Sequence, residues 1–270
     1  MQRYFLKLAY NGTDFNGWQI QPNAPSIQEE IINALTKMNR NNRVDVVGCG
    51  RTDAGVHASL FYAHFDFDPE RLPKEVVFKL NNMLPNGIAI QECIPVKNEA
   101  HARFDATHRT YNYFIHTKKN PFRFQEAYLY SHELNVKAMN KASAQLLDFK
   151  DFTSFSKVHT ENFTNDCNVS FAEWKVTEEG YQFTITANRF LRNMVRAIVG
   201  TSIEVGLGRM TIEEFKQIIE NQIQIIRVRD DGTLVNCLYM NGYFFSCTLL
   251  DKITNPKPFM RIRTPAKLRA

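Results

Sequence analysis

Apolar residues at Tyr4, Leu6, Leu8 and Tyr10 alternate along the first segment, which predicts a strand, and Asn11-Gly12 then turns the chain. Ser26 opens S-I-Q-E, a capping-box pattern with Glu29, and Ile27, Ile31, Leu35 and Met38 follow at helical spacing. Val44 to Cys49 reads as a short strand, and Phe61, Ala63, Phe65 and Phe67 alternate in another. Pro73 precedes a helix over 74–84 with Val77, Leu80 and Leu84 on one face, and Ile88 to Val96 alternates again. The order β-α-β-β-α-β within this stretch is the split βαβ order of an antiparallel sheet with helices on one side.

A second cycle follows. Tyr111, Tyr113 and Ile115 alternate; residues 133–147 read as a helix; strands are predicted near 167–177 and 181–188. A helix is expected near 190–204. Thr211 then starts T-I-E-E, a capping box that opens a helix to about 222. Two apolar stretches within 234–249 flank Asn241-Gly242 and read as a hairpin. Two such units could share one long sheet or face each other across a cleft, and the pattern does not separate the two arrangements.

The chain has 270 residues, enough for one large or two moderate domains with a sizeable core. No stretch has the roughly 18 apolar residues of a membrane span, and the N-terminus lacks the pattern of a secretion leader, so a cytoplasmic protein is expected. Six basic residues and no acid lie between Lys252 and Ala270; without them 27 basic residues face 28 acidic ones. A polyanion partner would therefore need a local patch or this tail, which carries three prolines and is expected to be extended or disordered. Five widely spaced cysteines without C-x-x-C argue against a disulfide framework or a zinc site and for reduced thiols.

The most unusual segment is Gly48-Cys49-Gly50-Arg51-Thr52-Asp53-Ala54-Gly55-Val56-His57-Ala58, between two strands. Asp53 sits close to Arg51 and His57, and a nearby cation favours the ionised carboxylate that acts as nucleophile, base or ligand. The bland alternative is a polar connection in which Arg51 and Asp53 merely pair. A dinucleotide fingerprint fails because the third glycine is misplaced and a strand follows; the deaminase zinc signature and the Gly-Lys-Ser/Thr phosphate loop are absent too.

G-R-T-D-A-G-V-H-A closely resembles the catalytic motif of the TruA-type tRNA pseudouridine synthases. Further segments resemble that family in order: Tyr10-Asn11-Gly12-Thr13-Asp14-Phe15-Asn16-Gly17-Trp18-Gln19, Ser26-Ile27-Gln28, His101-Ala102-Arg103-Phe104 with Arg109-Thr110-Tyr111, Asp151-Phe152-Thr153-Ser154-Phe155, and Asn188 to Arg196. The resemblance covers roughly residues 1–222. Beyond it the chain departs from the family's usual ending, by divergence or by a shifted reading frame near Asn221-Gln222.

The resemblance implies an α+β fold of two ferredoxin-like (RRM-like) βαββαβ-type units with antiparallel sheets and a catalytic cleft between them. The boundaries expected are 1–103 for the unit carrying Asp53, 104–250 for the unit carrying Tyr111 and a basic helix, and 251–270 for the tail. It implies isomerisation of uridine to pseudouridine at positions 38–40 in the tRNA anticodon arm, by a homodimer and with no cofactor or metal. Asp53 would be the catalytic carboxylate, attacking C6 of the base or acting at the sugar; Tyr111 would stack on the target base; Arg196 would sit beside Asp53. RNA contacts are expected from Arg51, His57, Arg103, Arg109, Arg189 and Arg192, the last two sharing a helix face with Arg196. Lys157 and His159 are candidates for an RNA-touching loop. By periodicity alone, Tyr111 could equally be core, Arg189, Arg192 and Arg196 a solvated edge, and His57 a structural histidine. A non-catalytic RNA-binding module is the competing function; a metal-dependent hydrolase using Asp53 and Asp14 lacks further acids or histidines to complete a metal shell.

Overall fold

A computed structural model describes residues 1–156, 164–223 and 243–249. Strands are β1 (Gln2–Tyr10), β2 (Val46–Gly48), β3 (His57–Phe67), β4 (Ile88–Pro95), β5 (Ala106–His116), β6 (Tyr128–Leu129), β7 (Val169–Thr177), β8 (Gly180–Ala187) and β9 (Tyr243–Leu249). Helices are α1 (Ile27–Met38), α2 (Val76–Met83), α3 (Val136–Gln145), α4 (Met194–Gly206) and α5 (Ile212–Glu220). The order of the first half follows the hydrophobic pattern. β6 had no counterpart in it, because a two-residue strand leaves no period to read.

The strands form one sheet in the order β4-β1-β3-β9-β5-β8-β7, with β2 beside β3 and β6 beside β5. This corrects the expectation of two antiparallel sheets. β9 runs parallel to β3 and antiparallel to β5, so it joins the two halves and makes the sheet mixed. The pairing is non-local, and neither strand's own period announces it.

One face of the sheet is apolar throughout. Leu6 and Leu8 of β1 lie opposite Ala63 and Phe61 of β3, and Tyr113 of β5 lies opposite Phe183 of β8; all are fully or almost fully buried. α1 packs on β2 and α2, while α3, α4 and α5 pack on one another. The alternate residues of β5 and β8 are polar and bond across strands, Thr110 to Thr186 at 2.9 Å and Thr184 to Asn112 at 2.7 Å. That alternation is what a half-buried antiparallel pair requires.

The expected caps set the starts of two of the described helices, α1 and α5. Thr211 and Glu214 form the full reciprocal box. Ser26 makes only its own half, accepting from the Glu29 N–H. The α1 amides of Ile27 and Gln28 donate instead to the Gly17 and Trp18 carbonyls, tying the helix start to the N-terminal motif. Lys157, His159, the first arm and turn of the expected 234–249 hairpin, and the 251–270 tail lie outside the described residues.

Candidate active site

Asp53 lies in the connection between β2 and β3, which the N-terminal motif holds from behind. The Trp18 N–H donates to the Thr52 carbonyl and the Gly55 N–H to the Phe15 carbonyl, both at 3.2 Å, and the buried Tyr10 hydroxyl meets Thr52 Oγ1 at 2.8 Å. Backbone approaches this close need glycine. A Cβ on Gly17 would stand 2.3 Å from the Thr52 carbonyl oxygen, at φ +89°, and one on Gly12 would stand 2.1 Å from the Val56 oxygen. Asp53 is thus placed by main chain, and its carboxylate stays 38% exposed.

Arg196, in the first turn of α4, reaches Asp53 Oδ2 with one guanidinium nitrogen at 3.4 Å. Tyr111 of β5 is half-buried on the apolar face of the sheet. Its ring meets Phe190 and Phe245 edge-on, each with centroids 5.2 Å apart. Burial raises the Tyr111 phenol pKa, with the Asp53 carboxylate adding to the effect, so the ring stays neutral. Three segments remote in sequence thereby converge: a β-connection, a strand and a helix start.

Arg51 and Arg103 are exposed. Partial desolvation lowers the Arg103 pKa, and Arg51, Arg109 and Arg189 lower it further as like charges, so these cations share one region. Among the described residues, none of Arg51, Arg103, Arg189 and Arg192 forms an ion pair. Arg109 is differently placed. Its guanidinium donates to the carbonyls of Ala106 (2.9 Å), Asn188 (2.6 Å), Cys49 (2.9 Å) and Arg103 (2.7 Å), clamping the Asp53 connection to β5 and to the end of β8. His57 is buried; its Nδ1 accepts from the Gly12 N–H and its Nε2 donates to the Gln125 carbonyl, both at 3.2 Å. Burial lowers its pKa, so it is a neutral hinge between loops. Both side chains expected at RNA have their nitrogens on backbone.

The three-arginine helix face does not form. α4 begins at Met194 because Asn193 takes a left-handed backbone at φ 66°, leaving Arg189 and Arg192 in the preceding turn and only Arg196 on the helix. Nothing in the local sequence pattern marks Phe190 and Phe245 as partners of Tyr111. Phe190 stood inside a quoted motif. Phe245 carried no signal, since it lies beyond the segment that resembles the family. A separate hollow of about 280 Å³, lined by Lys118, Lys119 and Phe124 among others, includes none of the Asp53, Tyr111 and Arg196 group. Among the described residues no cluster of three or more histidines, cysteines or carboxylates could hold a metal.

A family model described as tRNA pseudouridine synthase matches residues 142–240. Over 225 residues the chain is 53% identical to tRNA pseudouridine synthase A of Parabacteroides distasonis, covering 82% of this chain and 87% of that one. It is 52% identical over 224 residues to tRNA pseudouridine synthase A of Bacteroides fragilis, at 82% and 88% coverage. The chain belongs to the tRNA pseudouridine synthase A family. The more distant family member of Bacillus subtilis is 38% identical over 217 residues, covering 79% of this chain and 87% of that one. The family model runs to residue 240, past the point near 222 where the resemblance was expected to stop. No helix among the described residues is long and apolar enough to cross a membrane.

Proposed function

We propose that this chain isomerises uridine to pseudouridine in the anticodon arm of tRNA, at positions 38–40, with Asp53 as the catalytic carboxylate. The observation that carries this reading is the convergence of Asp53, Tyr111 and Arg196 from three separate segments within a chain of this family. The reaction breaks the bond from C1′ to N1, turns the base and joins C1′ to C5. C5 gives up one proton and N1 takes one, so no atom or electron is gained or lost and no cofactor is required.

The residues divide this work. Asp53 reacts. The Tyr111 ring holds the detached uracil by its face, worth about 1–3 kcal/mol, without hydrogen bonds that would stop its rotation. Arg196 orients the carboxylate through a charge-assisted contact. Arg51, Arg103, Arg189 and Arg192 meet phosphates, and the uridine leaves its stack at a cost of a few kcal/mol. Arg109 and His57 position the loop from inside the protein. The chain is read as two α+β units, 1–103 and 104–250, fused through β9. A homodimer pools the basic surface that a nearly neutral body lacks.

The test is incubation of the purified chain with unmodified tRNA transcripts, followed by chemical mapping of pseudouridine. Product at 38–40 is expected from the wild type. The Asp53→Ala variant is expected to bind the same RNA and form none. Binding without product by the wild type would establish the RNA-binding module instead.

A further inference from the structure

We infer that Phe104 is a second stacking platform, which holds a nucleotide flanking the target uridine while Tyr111 holds the target itself; this rests on the tRNA reading above. Residues 101–105 form a turn closed on itself. The His101 N–H donates to Asp105 Oδ2 at 2.7 Å and the Asp105 N–H returns to the His101 carbonyl at 2.9 Å. The Arg103 and Phe104 amides both donate to His101 Nδ1, at 3.2 and 3.3 Å. Buried Ala102 anchors the turn by donating to His64 Nδ1 at 3.1 Å.

The Phe104 ring stands on this base. It is 78% exposed, yet it stacks on the His101 ring with centroids 4.2 Å apart and planes 28° apart. His101 in turn meets the buried His64 ring edge-on at 4.6 Å. One face of the phenyl group is therefore fixed against protein, and most of its remaining surface meets water. As packing this contributes little, because most of the ring's apolar area stays in solvent. A single exposed apolar residue would need no explanation. This ring differs in being held by an immobilised partner beside cations that form no ion pair among the described residues.

Those cations give it a ligand. Phe104 follows Arg103, which lies in the field of Arg51, Arg109 and Arg189. One Arg109 nitrogen binds both the Arg103 carbonyl and the carbonyl of Cys49, four residues before Asp53, so the platform is tied to the reactive loop. A rigid aromatic face near the Arg51, Arg103 and Arg189 guanidinium groups, which form no ion pair among the described residues, matches an unstacked base with its flanking phosphates. A flipped uridine leaves its neighbours without a stacking partner, and such a face replaces it.

The test combines kinetics with fluorescence. Phe104→Ala and Phe104→Leu are expected to raise KM for an unmodified tRNA transcript about tenfold or more, with kcat changed less than about twofold. Phe104→Trp is expected to restore KM. Both native tryptophans, Trp18 and Trp174, are buried, so the F104W emission is read over a constant background. In an Asp53→Ala background, the F104W protein is expected to be quenched by the transcript. Thermal unfolding of each variant separates a folding defect from a binding one. A normal KM for folded Phe104→Leu, or F104W emission that the bound RNA does not change, would overturn the inference. Absence of product from the wild type would instead overturn the proposed function, and the fluorescence titration would still report on the platform.

Discussion

At the scale of single residues, the proposed function separates a group that reacts from groups that hold. Tyr111 tests that division. Tyr111→Phe keeps the aromatic face and the edge contacts with Phe190 and Phe245, so kcat for pseudouridine formation is expected to fall less than tenfold. Tyr111→Ala loses the face and is expected to lose a hundredfold or more; equal damage from the two would mean that the phenol, not the face, matters. His64 sets a pH dependence of stability. Burial, helped by Arg3 and His101, pushes its pKa down to about 4, against about 6.5 in the unfolded chain. Between those values the unfolded chain binds a proton that the folded chain refuses. Stability is therefore complete above pH 6.5 and is lost as pH falls toward 4, by at most about 3 kcal/mol from this residue. His57, also lowered, adds with the same sign. Urea midpoints are expected to drop between pH 7 and 5 in the wild type and to drop less in His64→Asn, whose amide oxygen can still accept from Ala102. Asp53 was legible because its motif is local and specific. The inward duty of Arg109 was not, since a side chain's partners across the fold leave no mark beside it in sequence, and for His57 the pattern left a structural and an RNA-contacting role both open.

At the scale of elements, the β2–β3 connection is the part whose shape matters most. It carries no regular structure of its own and borrows rigidity from residues 12–18. Gly17→Ala puts a methyl group into the Thr52 carbonyl at a left-handed φ, and the connection must move. Single-turnover rates are expected to fall tenfold or more while affinity for tRNA changes less than about threefold, as measured by filter binding. An equal loss in both would mean that the glycine serves RNA contact rather than loop placement. The expected helix over 190–204 shows the converse. Its apolar spacing was readable, but its start was not, because Asn193 turns left-handed where the sequence offers a continuous helical pattern. That turn separates Arg196 from Arg189 and Arg192 and gives the three arginines different surroundings.

At the scale of the whole molecule, β9 is the joint. Its pairing with β3 on one side and β5 on the other makes a single sheet out of two halves and delivers Phe245 beneath the site. Phe245 is 1% exposed, packs on Phe61 and Tyr111, and closes over Gly50. Phe245→Ala is expected to cost about 3–5 kcal/mol, from lost burial and the cavity left behind, read as a lower urea midpoint. It should also lower kcat, because the floor under Tyr111 goes. An unchanged midpoint would show that β9 is not what holds the halves together.

Alternation and helical spacing along the chain determined most of the strands and helices, since whether a side chain faces core or water is settled within a few residues. The short motifs determined the family and pointed to Asp53 as the proposed catalytic carboxylate, because close backbone packing around Asp53 demands particular residues at fixed spacing. Only the tertiary structure decided that the halves share a sheet, that Arg109 and His57 work inward, and that Phe245 backs Tyr111. Each of those depends on segments far apart in the chain meeting at one point. Such meetings are selected by the packing of the whole core, and no local pattern encodes them.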